Sequence, residues 1–418
     1  MNRVAVIFHR LGPYHWARLR AAARHFEILA IEESEETAEY GWDEQPHQDT
    51  PTLRKISLLR ENERPAKPAS EIARLVQDIL TRENPEAVFI PGWNDAAAFG
   101  ALQWGVKSGI PIVLMSESTR SDESRGRLKE FVKRRVIKLC AAALVGGTPQ
   151  LEYMQELGMT PEQIVTGYDA IDNEHFALGA TRAREDDHAT RTGLGLPACY
   201  FLASARFIEK KNLFNLLRAY ADYRRAACET AWDLVLLGDG PLKSDLCRLI
   251  GDLGLHDCVV LPGFRQYDEL PLYYGLASAF VHASLSEPWG LVVNEALAAS
   301  LPVIVSQQCG CARDLVIDRE NGFQFDANDS HALGSLLARV ASMSPADLSA
   351  MGNRGKKIVD DWSPDNFGKQ FERATIAARE SIPRQFNLFG DVLLRILIAR
   401  YNSTAAKLLP VKRSATTG

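Results

Sequence analysis

The residues best suited to chemistry fall in three short stretches of the second half of the chain. In Ser284-Leu285-Ser286-Glu287-Pro288-Trp289-Gly290-Leu291-Val292-Val293-Asn294-Glu295-Ala296-Leu297, a strand pattern ends near Ala283 and a helix pattern starts at about Gly290. The unpaired amides of Gly290, Leu291 and Val292 point out of such a helix start, where partial positive charge favours a phosphate. A glycine at 290 lets that phosphate approach the backbone closely. Glu287 lies on the turn and Glu295 inside the helix, so the two carboxylates can hold hydroxyls at opposite ends of one extended ligand. In Ala203-Ser204-Ala205-Arg206-Phe207-Ile208-Glu209-Lys210-Lys211-Asn212, Arg206 offers a planar fork to phosphate oxygens and Lys211 a point charge. The third stretch, Leu237-Gly238-Asp239-Gly240-Pro241, is a loop that permits close backbone approach. Each has a plain structural reading: solvated acids, surface ion pairs with Glu209, turn glycines. All three in this order at strand ends of one domain is a narrower coincidence.

The elements that must position these residues follow from hydrophobic periodicity. Short β-branched runs (Arg3–Phe8, Ile28–Glu32, Ala87–Ile90, Pro111–Met115, Ala143–Val145) alternate with helical ones, and the alternation resumes after Pro197 with strands at Cys199–Ser204, Asp233–Leu237, Val259–Leu261, Ala279–Ala283 and Pro302–Ser306. Near-continuous apolar strands between helices imply parallel sheets covered on both faces. The expected fold class is therefore α/β, with two Rossmann-like doubly wound domains facing each other across a cleft. Residues 1–176 form the first and 197–382 the second. The charged run Thr181–His188 lacks a core face, so 177–196 is expected to be a linker. Residues 383–418 are expected to form a helix returning to the first domain and a tail, disordered after Pro410. Ligands of such sheets sit beyond the carboxyl ends of the strands, which makes the cleft the default site.

The pattern R-x4-K, then G-x-G-P, then E-P-x-G-L-x-x-x-E-A resembles the nucleotide-sugar half of the group 1, family 4 glycosyltransferases, retaining enzymes of the GT-B fold. The resemblance implies that Arg206 and Lys211 neutralise the donor diphosphate, with Gly238 in the adjoining loop. It implies that Glu295 binds ribose hydroxyls, that Glu287 binds the donor sugar, and that the Gly290 and Leu291 amides lie near phosphate and sugar. Phe264 and Arg265 match the family segment against the nucleobase. The implied donor is a nucleotide diphosphate sugar and the implied acceptor a glycan or lipid-linked glycan. Glu287, Lys211 and Arg206 are then the residues expected to carry catalysis. Leaving-group charge needs a metal or fixed cations and amides. The chain contains no Asp-x-Asp pair, so no metal and no other cofactor is expected.

On the acceptor side the sequence departs from the family. The loops Pro91-Gly92-Trp93-Asn94-Asp95 and Met115-Ser116-Glu117-Ser118-Thr119 carry no counterpart of a histidine found in many members. Candidates to assist acceptor deprotonation are Glu117, Asp95 and His15; the departing phosphate is an alternative proton acceptor. The loop at Gly12 either closes over the donor phosphates or only joins strand to helix. Rival functions on this scaffold are an epimerase, a phosphorylase or a non-catalytic nucleotide-sugar-binding protein.

Bulk properties agree with an ordinary globular chain. Of 418 residues 46% are hydrophobic and 24% charged, and the net charge of -5 excludes a non-specific nucleic-acid binder. Seven cysteines without zinc-type spacing read as reduced thiols of a cytoplasmic protein, and neither a leader nor a spanning helix is expected. The helix Arg125–Leu139 carries seven basic residues and one acid beside the stripe Leu128, Phe131, Val132, Val136 and Leu139. It fits docking on an anionic membrane surface, or a helix with its stripe in the core; the pattern slightly favours the second.

Overall fold

The computed structural model describes residues 2–34, 51–59, 67–93, 95–122, 126–227, 231–381, 390 and 392–400. Among the described residues, thirteen strands form two sheets. The first contains β1 (Arg3–Phe8), β2 (Glu27–Ser34), β3 (Leu53–Leu59), β4 (Ala87–Pro91), β5 (Ile112–Ser116), β6 (Ala142–Val145) and β7 (Ile164–Thr166). The second contains β8 (Tyr200–Ser204), β9 (Asp233–Leu237), β10 (Val259–Gly263), β11 (Ala279–His282), β12 (Val303–Ser306) and β13 (Gly322–Phe325). Spatial orders are β3-β2-β1-β4-β5-β6-β7 and β10-β9-β8-β11-β12-β13, and all the pairings are parallel. The order reverses between β1 and β4, and again between β8 and β11. At these switch points adjacent connections leave to opposite faces and open a crevice.

Both faces of each sheet are buried. Along β1, Val4, Val6 and Phe8 enter one core layer and Ala5 and Ile7 the other. Along β8, Tyr200 and Leu202 face one layer, Phe201 and Ala203 the other. The expected α/β class with two facing doubly wound domains is what the chain adopts.

Three features differ from the sequence expectation. The presumed linker 177–196 is helical, in Asn173–Glu185 and Asp187–Leu194. Its charges lie on one side, while Phe176, Ala180 and Ala183 are buried against the helix Leu270–Leu276. The return to the first domain begins at the helix Pro364–Glu380, ahead of residue 383. Its Phe371 stacks on Phe89 of β4 with centroids 3.9 Å apart. Residues 392–400 are also helical, with Leu394 and Ile398 buried in the first domain's core; the expected tail after Pro410 lies outside the described residues. Strands β3, β7 and β13 were not expected.

Candidate active site

The second sheet's switch point assembles the three motif stretches. Beyond β8 the chain runs through Arg206 into a short turn of helix, Glu209–Lys211; beyond β11 it runs through Ser284 and Glu287 to the helix Leu291–Ala298. Lys211 Nζ donates to Glu287 Oε2. Lys210 Nζ lies 4.0 Å from Oε1, and His282 Nε2, on β11 itself, lies 3.7 Å from Oε2. Ser284 Oγ adds a contact of 3.4 Å. Burial alone would raise the Glu287 carboxyl, but His282 and Lys211 hold it well below the usual carboxylate range. Burial, helped by the Lys211 charge, lowers His282, so its imidazole is neutral at physiological pH.

Gly290 caps this helix at φ 106°, a left-handed conformation that favours glycine; a β-carbon there would lie 3.4 Å from Glu287 Cγ and 3.6 Å from His282 Nε2. The helix start, with the Leu291 amide, therefore stands directly over the Lys211–Glu287–His282 group. Gly238 has φ 129°, and a β-carbon there would overlap the Ala205 carbonyl. The close approach expected of this loop is thus made by the chain's own Arg206 loop, bonded through Phe207 N to Asp239 O at 2.8 Å. Phe264 is exposed, and Arg265 folds back on Glu269 and the Pro262 carbonyl at 3.2 and 3.0 Å.

Glu295 lies a turn deeper and buried. Tyr274 Oη donates to its Oε2 at 2.6 Å, and Tyr14 of the first domain donates to Oε1. Burial pushes the carboxyl up to about 7, against the pull of the two hydroxyls. Tyr14 thus ties the lobes at the residue expected to meet ribose. Further links are Thr148 Oγ1 to Asp314 at 2.5 Å, Gln150 Nε2 to the Pro288 carbonyl at 2.5 Å, and a two-pronged Arg313–Glu152 pair at 2.7 and 2.9 Å.

The first-domain candidates separate. Gly12 caps the helix Pro13–Ala22, and its amide donates to His15 Nδ1 at 3.0 Å. Burial, with Arg18 nearby, lowers His15 to about 3, leaving it a neutral acceptor already engaged. Asp95 caps the helix Ala96–Ser108 by accepting from Ala98 N at 2.5 Å. Glu117 alone lies among the cleft's charges, acted on by Arg18, Asp169 and Glu287. Sequence reasoning missed His282, Tyr14, Tyr274, Arg18 and Asp169. His282 carried a signal, a histidine at a strand's carboxyl end five residues before Glu287; the others are joined by contacts that no local pattern encodes. Among the described residues no cluster of three His, Cys, Asp or Glu side chains is placed to hold a metal.

Two facing parallel domains, with the charged site at the switch point of the second, define the GT-B glycosyltransferase architecture. Sucrose-phosphate synthase from Thermosynechococcus elongatus shares the fold with TM-score 0.69 at 18% identity, over 89% of this chain and 98% of that one. Residues 190–358, within the second domain, match the family model "Glycosyl transferases group 1". A GDP-mannose-dependent alpha-(1-6)-phosphatidylinositol monomannoside mannosyltransferase from Mycolicibacterium smegmatis is 31% identical over 225 residues, 50% of this chain and 56% of that protein. An alpha-monoglucosyldiacylglycerol synthase from Acholeplasma laidlawii is 33% identical over 190 residues, 45% of this chain and 46% of that protein. The chain thus spans about half the length of these curated relatives.

Proposed function

We propose that the protein is a retaining glycosyltransferase that moves a sugar from a nucleotide diphosphate sugar to a hydroxyl of a lipid-linked or polysaccharide acceptor. The observation that carries this reading is the Lys211–Glu287–His282 group beneath the glycine-capped helix start, inside the segment that matches the group 1 family. The fixed cations Arg206 and Lys211 and the Gly290 and Leu291 amides stabilise the charge that develops on the departing diphosphate. Glu287, kept ionised by its neighbours, accepts from the sugar hydroxyls, and Glu295 faces the ribose once Tyr14 gives way. With these groups supplying the positive charge, turnover proceeds without added divalent metal.

The relatives support the substrate class: one is named for a GDP-mannose donor, and both for glycolipid products or acceptors. The helix Arg127–Ile137 supports a lipid surface as the place of work. Its first half exposes Leu128 (70%) and Phe131 (47%) among Arg127, Lys129, Arg134 and Arg135, while Val136 and Ile137 are buried. The apolar stripe is split, and its exposed half with the basic rim fits peripheral docking on anionic lipid. No helix among the described residues is long and apolar enough to cross a membrane.

The test is thermal shift with GDP, UDP and ADP followed by sugar transfer from the matching nucleotide sugars to glycolipid vesicles. One nucleotide should raise the melting temperature, and its sugar should appear on lipid. No shift with any of them at saturation refutes the donor site.

A further inference from the structure

Asp169, between β7 and the helix Asn173–Glu185, is fully buried, and neither carboxylate oxygen meets a hydrogen-bond donor among the described residues. The nearest guanidinium nitrogen, Arg18 Nη2, stands 3.6 Å away, and Arg18 Nε is engaged by the Ala170 carbonyl at 2.7 Å. Gly146 and the ring of Trp289 pack beside the acid. The group it meets is Glu117, on the loop after β5, close enough for a hydrogen bond between the two carboxyls. Two carboxylates offer only acceptors, so that bond exists only if one of them holds a proton. One shared proton gives the buried oxygens their partner and leaves the pair a single negative charge opposite Arg18. The alternative, two adjacent buried anions, is costly.

We infer that Glu117 and Asp169 share one proton and work as a single acid–base unit on the acceptor side, Glu117 as catalytic residue and Asp169 as the positioning residue behind it. This rests on the glycosyltransferase reading. Asp169 is enclosed, whereas Glu117 is half-buried at the cleft. Gln150 Nε2 joins the Glu117 carbonyl (3.4 Å) to that of Pro288 (2.5 Å), which holds the Glu117 loop beside the residue following Glu287. The charged groups acting on Glu117 are Arg18, Asp169, Asp122 and Glu287; those acting on Asp169 are Glu117 and Arg18, and Asp169 in turn acts on Tyr168 and Cys311. Burial, reinforced by the like charge of its partner, keeps Asp169 well above the usual carboxylate range, and burial raises Glu117 against the pull of Arg18. In the reaction the acceptor O–H bond breaks and its proton passes to the free Glu117 oxygen. The acceptor oxygen bonds the anomeric carbon, and the anomeric carbon–phosphate oxygen bond breaks with its electron pair leaving on the nucleoside diphosphate. Glu117 then returns the proton to solvent. The shared proton stays between the two acids throughout.

Glu117→Gln, Asp169→Asn and Asp169→Ala test this, since asparagine imitates a protonated Asp169 and alanine does not. Glu117→Gln should lower kcat by about 10²-fold with GDP or UDP affinity unchanged. Asp169→Ala should lower kcat by about tenfold, of which Asp169→Asn restores most, and both should lose the pH-profile inflection of the shared proton. Wild-type kcat in Glu117→Gln overturns the inference, as does an Asp169→Asn protein no better than Asp169→Ala. If no nucleotide sugar supports transfer, the glycosyltransferase reading falls. The pair is then judged by carbon-13 titration of wild-type carboxyls: a high-titrating acid besides Glu295 that vanishes in Glu117→Gln and in Asp169→Asn supports it, and its absence refutes it.

Discussion

Replacing Glu295 by glutamine should stabilise the protein at alkaline pH and leave it unchanged at acid pH. Glu295 is 1% exposed, and burial lifts its carboxyl from 4.5 to about 7 despite the hydroxyls of Tyr14 and Tyr274. In the unfolded chain the group is ordinary. Between these two values the folded protein holds a proton that the unfolded chain has released. Stability is therefore fully present below the unfolded value and is lost as pH rises through the folded one. At ~1.4 kcal/mol per pH unit, the loss is about 3 kcal/mol once both states are ionised. Glutamine has no such proton, and its amide still serves both tyrosines, accepting from one and donating to the other's oxygen. Thermal unfolding of both proteins across about pH 5 to 8 reads the difference. At ~2–4 °C per kcal/mol for a domain of this size, the Glu295→Gln advantage should grow from near zero to roughly 6–12 °C. Parallel curves would refute the burial argument, and an advantage that shrinks with rising pH would reverse its sign. The variant should lose activity, because a carboxylate kept where it is costly is retained for what it binds.

Lys211→Ala should cut turnover by at least ~10²-fold, as loss of one transition-state donor does elsewhere. Because Glu287 is held low, the stability it contributes is present above 4.5 and vanishes on acidification. Removing Lys211 should therefore flatten the acid limb of the stability profile, and an unchanged rate and limb would dismiss the pairing. Sugar transfer should survive excess chelator in full, whereas complete loss restored by magnesium would return the leaving-group role to a metal. In vesicle flotation the protein should rise with anionic and not with neutral lipid, and Leu128→Asp with Phe131→Asp should abolish it. Equal recovery from both lipids removes the membrane surface.

Much of the fold was legible because strands buried on both faces and helices buried on one carry different periods. Ala87–Ile90 and Leu234–Leu237 are short apolar runs of the kind a strand covered on both faces requires. The strands that escaped notice lack that signature: Leu53–Leu59 is a sheet edge whose Arg54 and Lys55 break the run, and Ile164–Thr166 is three residues long. The segment 177–196 misled for the opposite reason. In its first helix the buried contacts are alanines at 180 and 183, small enough to pack closely on the Leu270–Leu276 helix yet too weak to mark a stripe amid arginines and acids.

The donor half of the site could be read because its residues are local to two turns, and the switch point of an α/β sheet brings such turns together. What joins the lobes is invisible to a local pattern: Tyr14 meets Glu295 281 residues away, and Arg18 meets the Asp169 segment 152 residues away. These links share a chemistry with a mechanical consequence. Thr148–Asp314, Gln150–Pro288, Arg313–Glu152 and Tyr14–Glu295 are hydrogen bonds or ion pairs, several at exposed edges, each with a net worth of ~0.5–3 kcal/mol. Closure of the lobes then depends on such bonds together with the packing of the buried Trp289 on Gly146 and Gly147, and a ligand with its own contacts to both sides can shift it. Tyr14 occupies the carboxylate proposed to receive the ribose. Donor entry and lobe opening are on that reading the same event, and the acceptor-side acids Glu117 and Asp169 meet the donor site again only when the lobes reclose around both substrates.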